Sequence, residues 1–554
     1  MSRPAPLLRL LALTALAGSA VTSACAAAPV KYEQPKLVVV MVVDGLPNEQ
    51  VMRYRDQFGQ GGFRRLMEQG AWFTNAFQAH GVTVTAVGHT AVSTGAYPYR
   101  HGIINNYWYD ANGKKVYCTE DGRYHYLGDG EQTQEHDGTS PANLRVDTIG
   151  DQLRYATGNQ SKVVTVSGKD RGAILLAGKT GTAYMYMEKT GSFATSTFYM
   201  NAYPAWAEHF RAAHPQDRYY GQSWTKLLPD AAYAGDAPYV ELANGKQSRF
   251  PFVFKSDSGK PDAKYYESLK GSPAVDELTL EFARAAIEGE NLGRNPAGVP
   301  DLLGVSLSAH DIINHSFGPE SAMSHDHLQR LDRMLANFFG YLDKRIGLSN
   351  VLVVLTADHG FTNSPAFSQA RHIDALRIDP DKLVSGLDKT LADAYHVNKL
   401  VKSSMLPEIW LDDGLVEKNG LSRADVEARA ARYLLAQPGI AQVYTRTQFE
   451  NGGVGPTRLG LLMQRAWNRQ LSGDLMVVPQ PYSLFTKSLT NASHGAPYNY
   501  DANVPLLIMG SRWIKPGTYA GYTEVVDIAP TLAHLLRVRP PAAAEGRVLE
   551  QVLR

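Results

Sequence analysis

The chain has 554 residues, 44% hydrophobic and 20% charged, enough for one large α/β core with insertions and too ordinary in composition for long disorder. Its 55 basic residues against 54 acidic ones leave a net charge of +1, which removes nucleic acid as the main partner. With Cys25 and Cys118 as its two cysteines, a disulfide framework is excluded in any compartment.

The chain begins with an export pattern: Arg3 and Arg9 around the apolar run Leu10–Ala20, then small residues from Ser23 to Pro29. That run is short for a membrane span, so residues 1–27 are read as a signal peptide, the rest as a periplasmic or secreted chain with no span. Lipid attachment at Cys25 is the lesser alternative, because Thr22 stands where such signals carry a bulky aliphatic residue. Cys118 is then a lone thiol, packed rather than catalytic.

Leu37–Val43 is a continuous apolar, β-branched run, as a strand buried on both faces of a parallel sheet requires. It ends in Asp44-Gly45, and ligand crevices of open α/β sheets lie beyond carboxyl strand ends. Helical pattern follows from Asn48 to Gly70, broken at Gly61-Gly62. Thr85 then opens a small-residue helix, and a helix start presents free N–H groups and partial positive charge to an anion. A Thr hydroxyl needs a base or metal to become a nucleophile.

From Tyr107 to about Pro141 the composition predicts surface loops, and from Ala142 to Tyr155 a helix. A strand at Ser161–Ser167 ends in Gly168-Lys-Asp-Arg-Gly172. If that tail is extended, Lys169 and Arg171 share a face and together suit a multiply charged anion. Residues of about 175–272 form an insertion with a hairpin near Ala183–Phe193. Pro273–Ile287 is an amphipathic helix, Leu302–Leu307 a strand, Ser324–Ile346 a long helix and Val351–Leu355 a strand. A second insertion, 361–479, holds a helix at Arg423–Leu435; its Gly452–Gly455 patch lacks the strand-then-helix context of a nucleotide loop. The apolar run Val504–Met509 and a closing helix, Asp527–Leu536, follow.

Strand ends thus supply Asp44, Asp311 with His315, and Asp358 with His359; a loop supplies His494. Three carboxylates and three imidazoles form an O/N ligand set suited to Zn²⁺, and six ligands suffice for two ions with open positions. In combination, Val43-Asp-Gly45, Thr85 with Thr94-Gly95 and His101-Gly-Ile103, Asn106, Asp311-x-x-x-His315, Ala357-Asp-His-Gly360 and Ser493-His-Gly495 resemble the alkaline phosphatase superfamily in its phosphodiesterase/nucleotide pyrophosphatase-like branch. The likeness is greatest to secreted bacterial alkaline phosphatases with a threonine nucleophile, and it runs from Leu37 to about Pro541.

That resemblance implies an alkaline phosphatase-like α/β sandwich. Its central sheet is mostly parallel with helices on both faces, and cap segments are inserted into a single catalytic domain, 28–554. It implies one zinc ion on Asp44, Asp358, His359 and the Thr85 oxygen, and a second on Asp311, His315 and His494. Thr85 would form a phosphothreonine intermediate, with Asn106 (rather than Asn105), Lys169 and Arg171 on the phosphoryl oxygens and Thr83 merely packing in the loop. The Lys-x-Arg pair resembles the monoesterases of the branch, since two cations match a dianion. Thr85-Ala-Val-Gly-His89 lacks the Cys/Ser-x-Pro-x-Arg of sulfatases. The expected activity is hydrolysis of small phosphate monoesters. A diesterase or nucleotide pyrophosphatase is the alternative, a non-catalytic metal- or phosphate-binding protein the lesser one. The oligomeric state is not legible.

Overall fold

A computed structural model describes residues 32–128, 133–237 and 250–554; the export pattern of residues 1–27, with Cys25, lies outside them. Strand β1 (Leu37–Val43) is buried along its whole length. Helices α1 (Asn48–Tyr54) and α2 (Phe63–Gln69) follow, divided at Gly61-Gly62 as expected. Strand β2 (Ala71–Phe77) is an element that periodicity does not announce, because Ala-Trp-Phe-Thr-Asn-Ala-Phe keeps neither a two-fold nor a helical pattern. Helix α3 (Thr85–Thr94) comes next. Helix α4 (Ile149–Ala156) begins seven residues later than expected, at a capping box. Thr148 accepts from the Asp151 N–H at 3.1 Å and Asp151 accepts from the Thr148 N–H at 2.9 Å.

Next come β3 (Val163–Ser167), α5 (Asp170–Ala177), β4 (Thr182–Tyr186) and β5 (Phe193–Ala194). Helix α6 (Pro273–Gly289) starts on a Ser272 cap with proline at its first position. It leads to β6 (Asp301–Leu307), α7 (Ala309–Phe317), α8 (Ala322–Ile346) and β7 (Val351–Thr356). The second insertion contributes β8 (Val401–Met405), β9 (Glu408–Leu411), α9 (Arg423–Leu435), β10 (Ile440–Thr445) and β11 (Leu475–Pro479). The main sheet resumes with β12 (Asn503–Met509), β13 (Gly517–Tyr519) and β14 (Thr523–Glu524), before the closing helix α10 (Ile528–Leu536).

The main sheet runs β13-β2-β12-β7-β1-β6-β3-β4-β5, with β14 beside β2. Strands β7, β1, β6, β3 and β4 are parallel, whereas β12 and β5 pair antiparallel with their neighbours. Helices α3, α4, α5 and α10 pack among themselves, and α6, α7 and α8 form a second group, so both faces of the sheet are covered. The register matters most for function. Val43 pairs with Leu307, Val42 with Thr356 and Ser306 with Ser167. Four carboxyl ends are therefore level, and the residues after them emerge along one edge.

Two expectations about the flanking segments change. The second insertion builds its own four-stranded antiparallel sheet, β8-β9-β11-β10, on a core that includes Leu387, Leu391, Ile409, Val426 and Val477. The stretch expected as surface loops instead forms a hairpin (Tyr107–Tyr109 with Lys115–Tyr117) whose Trp108 and Tyr117, with Cys118, pack against Ala86 and Leu175. Aromatic side chains in a Gly-rich run are here core material supporting α3, because their burial outweighs the turn propensity around them. Cys118 is fully buried there, and desolvation pushes its thiol up to about 12, so it is packed and inert.

Candidate active site

Asp44 follows β1 directly, its N–H bound to the Leu307 carbonyl at 2.9 Å. Gly45 has φ +68°, and a Cβ there would lie 2.9 Å from the Asp311 Cβ; glycine is what lets the two carboxylates approach. Asp358, after β7, is held by two backbone donors: the N–H groups of Gly45 and His359 each reach its Oδ1 at 3.0 Å. Asp311 and His315 stand one turn apart on α7, so they share a face. The strand end thus delivers this pair through a helix rather than an extended tail.

The three histidines are oriented alike. His359, His315 and His494 donate Nδ1–H to the carbonyls of Gly360 (2.8 Å), Ala492 (3.1 Å) and Thr83 (2.8 Å). A carbonyl only accepts, so each Nε2 keeps its lone pair. His359 Nε2 lies 3.5 Å from Asp44 Oδ1, 3.5 Å from Asp358 Oδ2 and 3.9 Å from Asp311 Oδ1. The Nε2 atoms of His494 and His315 lie 3.5 and 3.4 Å from Asp311 Oδ1.

Three buried atoms in this cluster have no hydrogen-bond partner, Asp44 Oδ1, Asp311 Oδ1 and His359 Nε2, while Asp44 Oδ2 meets Lys169 and Asp358 Oδ2 meets His89. Orphaned polar atoms facing one another at such depth are costly unless a cation joins them. The donor atoms fall into two metal-sized groups, Asp44–Asp358–His359 and Asp311–His359–His494, each within 4.8 Å. His359 belongs to both. His315, expected in the second group, sits at its open rim with its side chain 41% exposed.

Electrostatics agree with this geometry. Lys169 Nζ lies 2.7 Å from Asp44 Oδ2 and 2.5 Å from Asp311 Oδ2. One lysine does not balance three buried carboxylates. Burial and the neighbouring Asp358 raise Asp44 well above the ordinary carboxylate range. Asp311 stays well below it: burial alone would raise it, but the Lys169 ammonium beside it outweighs that. Asp358 is likewise lowered against desolvation, by His359 and His89. Burial lowers His359 and His494, keeping them neutral and available as ligands.

Thr85 is the first residue of α3 and is buried. Asn106 Oδ1 accepts from the Ala86 N–H at 2.9 Å, which ties that side chain to the helix start, whereas Asn105 Oδ1 accepts from the Asn106 N–H at 2.8 Å. Thr83 packs in the loop, its hydroxyl on the Ala496 carbonyl at 2.8 Å, yet its own carbonyl orients His494. Lys169 and Arg171 do not project in parallel from extended backbone. α5 begins at Asp170, whose carboxylate accepts from the Arg171 and Gly138 N–H groups at 2.6 and 2.8 Å. Lys169 turns to the carboxylates, and the Arg171 guanidinium lies 3.3 Å from the Tyr117 hydroxyl.

His89 is the residue that sequence reasoning missed. It lies one turn after Thr85, fully buried. The Ser306 hydroxyl sits 2.8 Å from its Nε2, while its Nδ1 lies 2.9 Å from the Thr85 carbonyl and 3.2 Å from Asp358 Oδ2. Two acceptors at Nδ1 place the proton there and make Ser306 the donor at Nε2. The available signal was a lone histidine four residues from Thr85 in a helix of small residues.

A family model described as type I phosphodiesterase / nucleotide pyrophosphatase matches residues 38–499. The chain belongs to that family. Alkaline phosphatase PhoV of Synechococcus elongatus is 35% identical over 543 residues, covering 95% of this chain and 94% of the relative. A protein named calcium-transporting ATPase, from Myroides odoratus, is 35% identical over 536 residues, 94% and 95% of the two chains. The crystal structure of alkaline phosphatase PafA superposes with a TM-score of 0.87 at 33% identity, covering 94% of this chain and 99% of that one. A PafA variant substituted at a threonine, an asparagine, a lysine and an arginine superposes with a TM-score of 0.86 at 32% identity, covering 94% and 99%. The fold is that of the alkaline phosphatase superfamily, and this member of the phosphodiesterase family is a phosphoester-hydrolysing phosphatase that uses a divalent metal. Among the described residues no helix is long and apolar enough to cross a membrane.

Proposed function

We propose that the chain hydrolyses phosphate monoesters with two zinc ions, through a phosphothreonine on Thr85. The observation that carries this reading is the set of three unpartnered buried atoms, Asp44 Oδ1, Asp311 Oδ1 and His359 Nε2, within two metal-sized groups of donors. Asp44, Asp358, His359 and the Thr85 oxygen would hold one ion; Asp311, His315 and His494 would hold the other. Bound zinc supplies positive charge that favours the Thr85 alkoxide and the departing ester oxygen.

The chain's own groups do the rest. Thr85 Oγ, its proton lost to solvent, attacks phosphorus from the N-terminus of α3, whose partial positive charge favours an anion, as the P–O bond to the alcohol breaks; water then cleaves the phosphothreonine, restoring the Thr85 hydroxyl and releasing phosphate. The Asn106 side chain, fixed through its Oδ1, donates from its amide nitrogen to a phosphoryl oxygen. Lys169, now counterion to Asp44 and Asp311, turns to the phosphoryl group when divalent charge takes over that task, and Arg171 supplies the second cation. Two cations match a dianionic monoester better than a singly charged diester. In the PafA variant, the threonine and asparagine are separated in sequence as Thr85 and Asn106 are, and the lysine and arginine as Lys169 and Arg171 are, which supports these roles. The export pattern of residues 1–27 supports a periplasmic or secreted site of action.

The test is elemental analysis of the purified chain together with paired turnover of an aryl phosphomonoester and an aryl phosphodiester. The monoester should be preferred and about two zinc ions found per chain; a diester preference would favour the second reading, for which the family description itself speaks. Thr85→Ala should abolish turnover, and full activity in that variant would remove the nucleophile.

A further inference from the structure

The proposed site has two flanks of different chemistry. Around Lys169 and Arg171 lies a cleft of about 340 Å³ walled by charged and aromatic side chains, among them Asp137, Glu188, Lys270 and Tyr186. A second cleft, about 220 Å³, is bordered by His494, by Val84, the neighbour of Thr85, and by residues of the second insertion's sheet. Its wall there carries Leu406 and Pro407 from the β8–β9 turn, Val478 from β11, and Phe485, with Asn105, Ser483 and Ser493 as its polar side chains besides His494. Val84, Leu406, Pro407 and Phe485 are only half-buried, so apolar surface is left open beside the histidine proposed to serve the departing oxygen.

We propose that this cleft receives the alcohol portion of the ester, and that it selects alcohols carrying an aromatic ring or a compact apolar group over hydroxylated ones. The assignment rests on the phosphomonoesterase reading. The group attached to the departing oxygen would lie on the Asp311–His315–His494 side of phosphorus, and of that set His494 borders the cleft. Apolar burial there favours a ring, whereas a polyol would strip its hydroxyls of water against Leu406 and Phe485 for few partners in return.

The test uses the metal-loaded full chain with benzyl phosphate and 2-hydroxyethyl phosphate, whose alcohols have similar acidity, so intrinsic reactivity cancels. The kcat/KM ratio should favour benzyl phosphate by about tenfold and fall toward unity in Leu406→Ser and Phe485→Ser. Calorimetry on the unaltered protein gives the same comparison without turnover, and holds if either variant fails to fold: benzylphosphonate should bind about tenfold more tightly than 2-hydroxyethylphosphonate. A ratio near one in the unaltered protein, or one that persists in both folded variants, overturns the proposal. If neither ester releases phosphate while benzylphosphonate still binds more tightly, the monoesterase reading falls and the cleft stands.

Discussion

His89 shows at the residue scale how a side chain that touches no ester can govern one that does. Its single Nδ1–H faces both the Thr85 carbonyl and Asp358 Oδ2, tying the helix of the proposed nucleophile to a carboxylate proposed as a metal ligand. An asparagine there keeps a donor near the Nδ1 position, whereas a glutamine keeps one only near Nε2. His89→Asn should therefore hold kcat within about tenfold, while His89→Gln and His89→Ala should lose about a hundredfold, the range typical of groups that orient metal ligands. Steady-state kinetics with KM and kcat separated decide it; equal losses in all three variants would mean that His89 only fills space. The proposed ligands were legible in the sequence, because Asp44 directly follows an apolar β-branched run and Asp358 stands two residues past the end of another. His89 was not, since its meaning depends on Ser306 and Asp358, more than two hundred positions away.

At the scale of elements, α3 is composed of small residues because it is pressed against the end of β7. A Cβ on Gly88 would lie 2.0 Å from the Asp358 carbonyl oxygen and 2.6 Å from its carbon, and neither backbone atom can rotate away. Gly88→Ala should cost about 1–3 kcal/mol of stability and lower turnover as well, since the helix can relieve the clash only by carrying Thr85 off Asp358. Urea unfolding and kcat should fall together, and a variant that loses stability with kcat intact would separate the helix from the site. The parallel strands were legible as continuous apolar runs, and the long helices as 3.6-residue patterns. What stayed hidden depends on partners: β2 carries no period of its own, and the tail after β3 turns helical at Asp170 because Gly138 and Tyr117, remote in sequence, meet its carboxylate. The second insertion's sheet was likewise invisible, as short strands such as Glu408–Leu411 carry too few residues to set a pattern.

At the scale of the molecule, the proposed ligands join β1, α7, β7 and the segment around His494, so cation binding should act as a clamp on the whole edge of the sheet. Zinc at a thousandfold excess over its Kd should stabilise the chelated protein by about 4 kcal/mol, readable as a rise in Tm. The pH dependence of that increment distinguishes this buried site from an exposed cluster of histidines. His359 and His494 are lowered by burial and are already neutral in the folded chain, so they release no proton to the metal near neutral pH. Lys169 is raised against its desolvation by Asp311 and Asp44 and stays charged. Asp44, by contrast, is raised, so below its folded-state pKa it carries a proton that the cation must expel. For the Asp44 proton alone, zinc affinity should therefore increase with pH by about tenfold per unit and level off once Asp44 is ionised. An exposed three-histidine site would release up to three protons and show a steeper rise below about pH 6.5. Zinc titration calorimetry across pH 5–8, in buffers of different ionisation enthalpy, counts the protons directly. In a His315→Ala, Thr85→Ala chain, where Asp44 alone should supply the proton, a release of two or more would place His359 and His494 in water and undo the geometry on which the clamp depends.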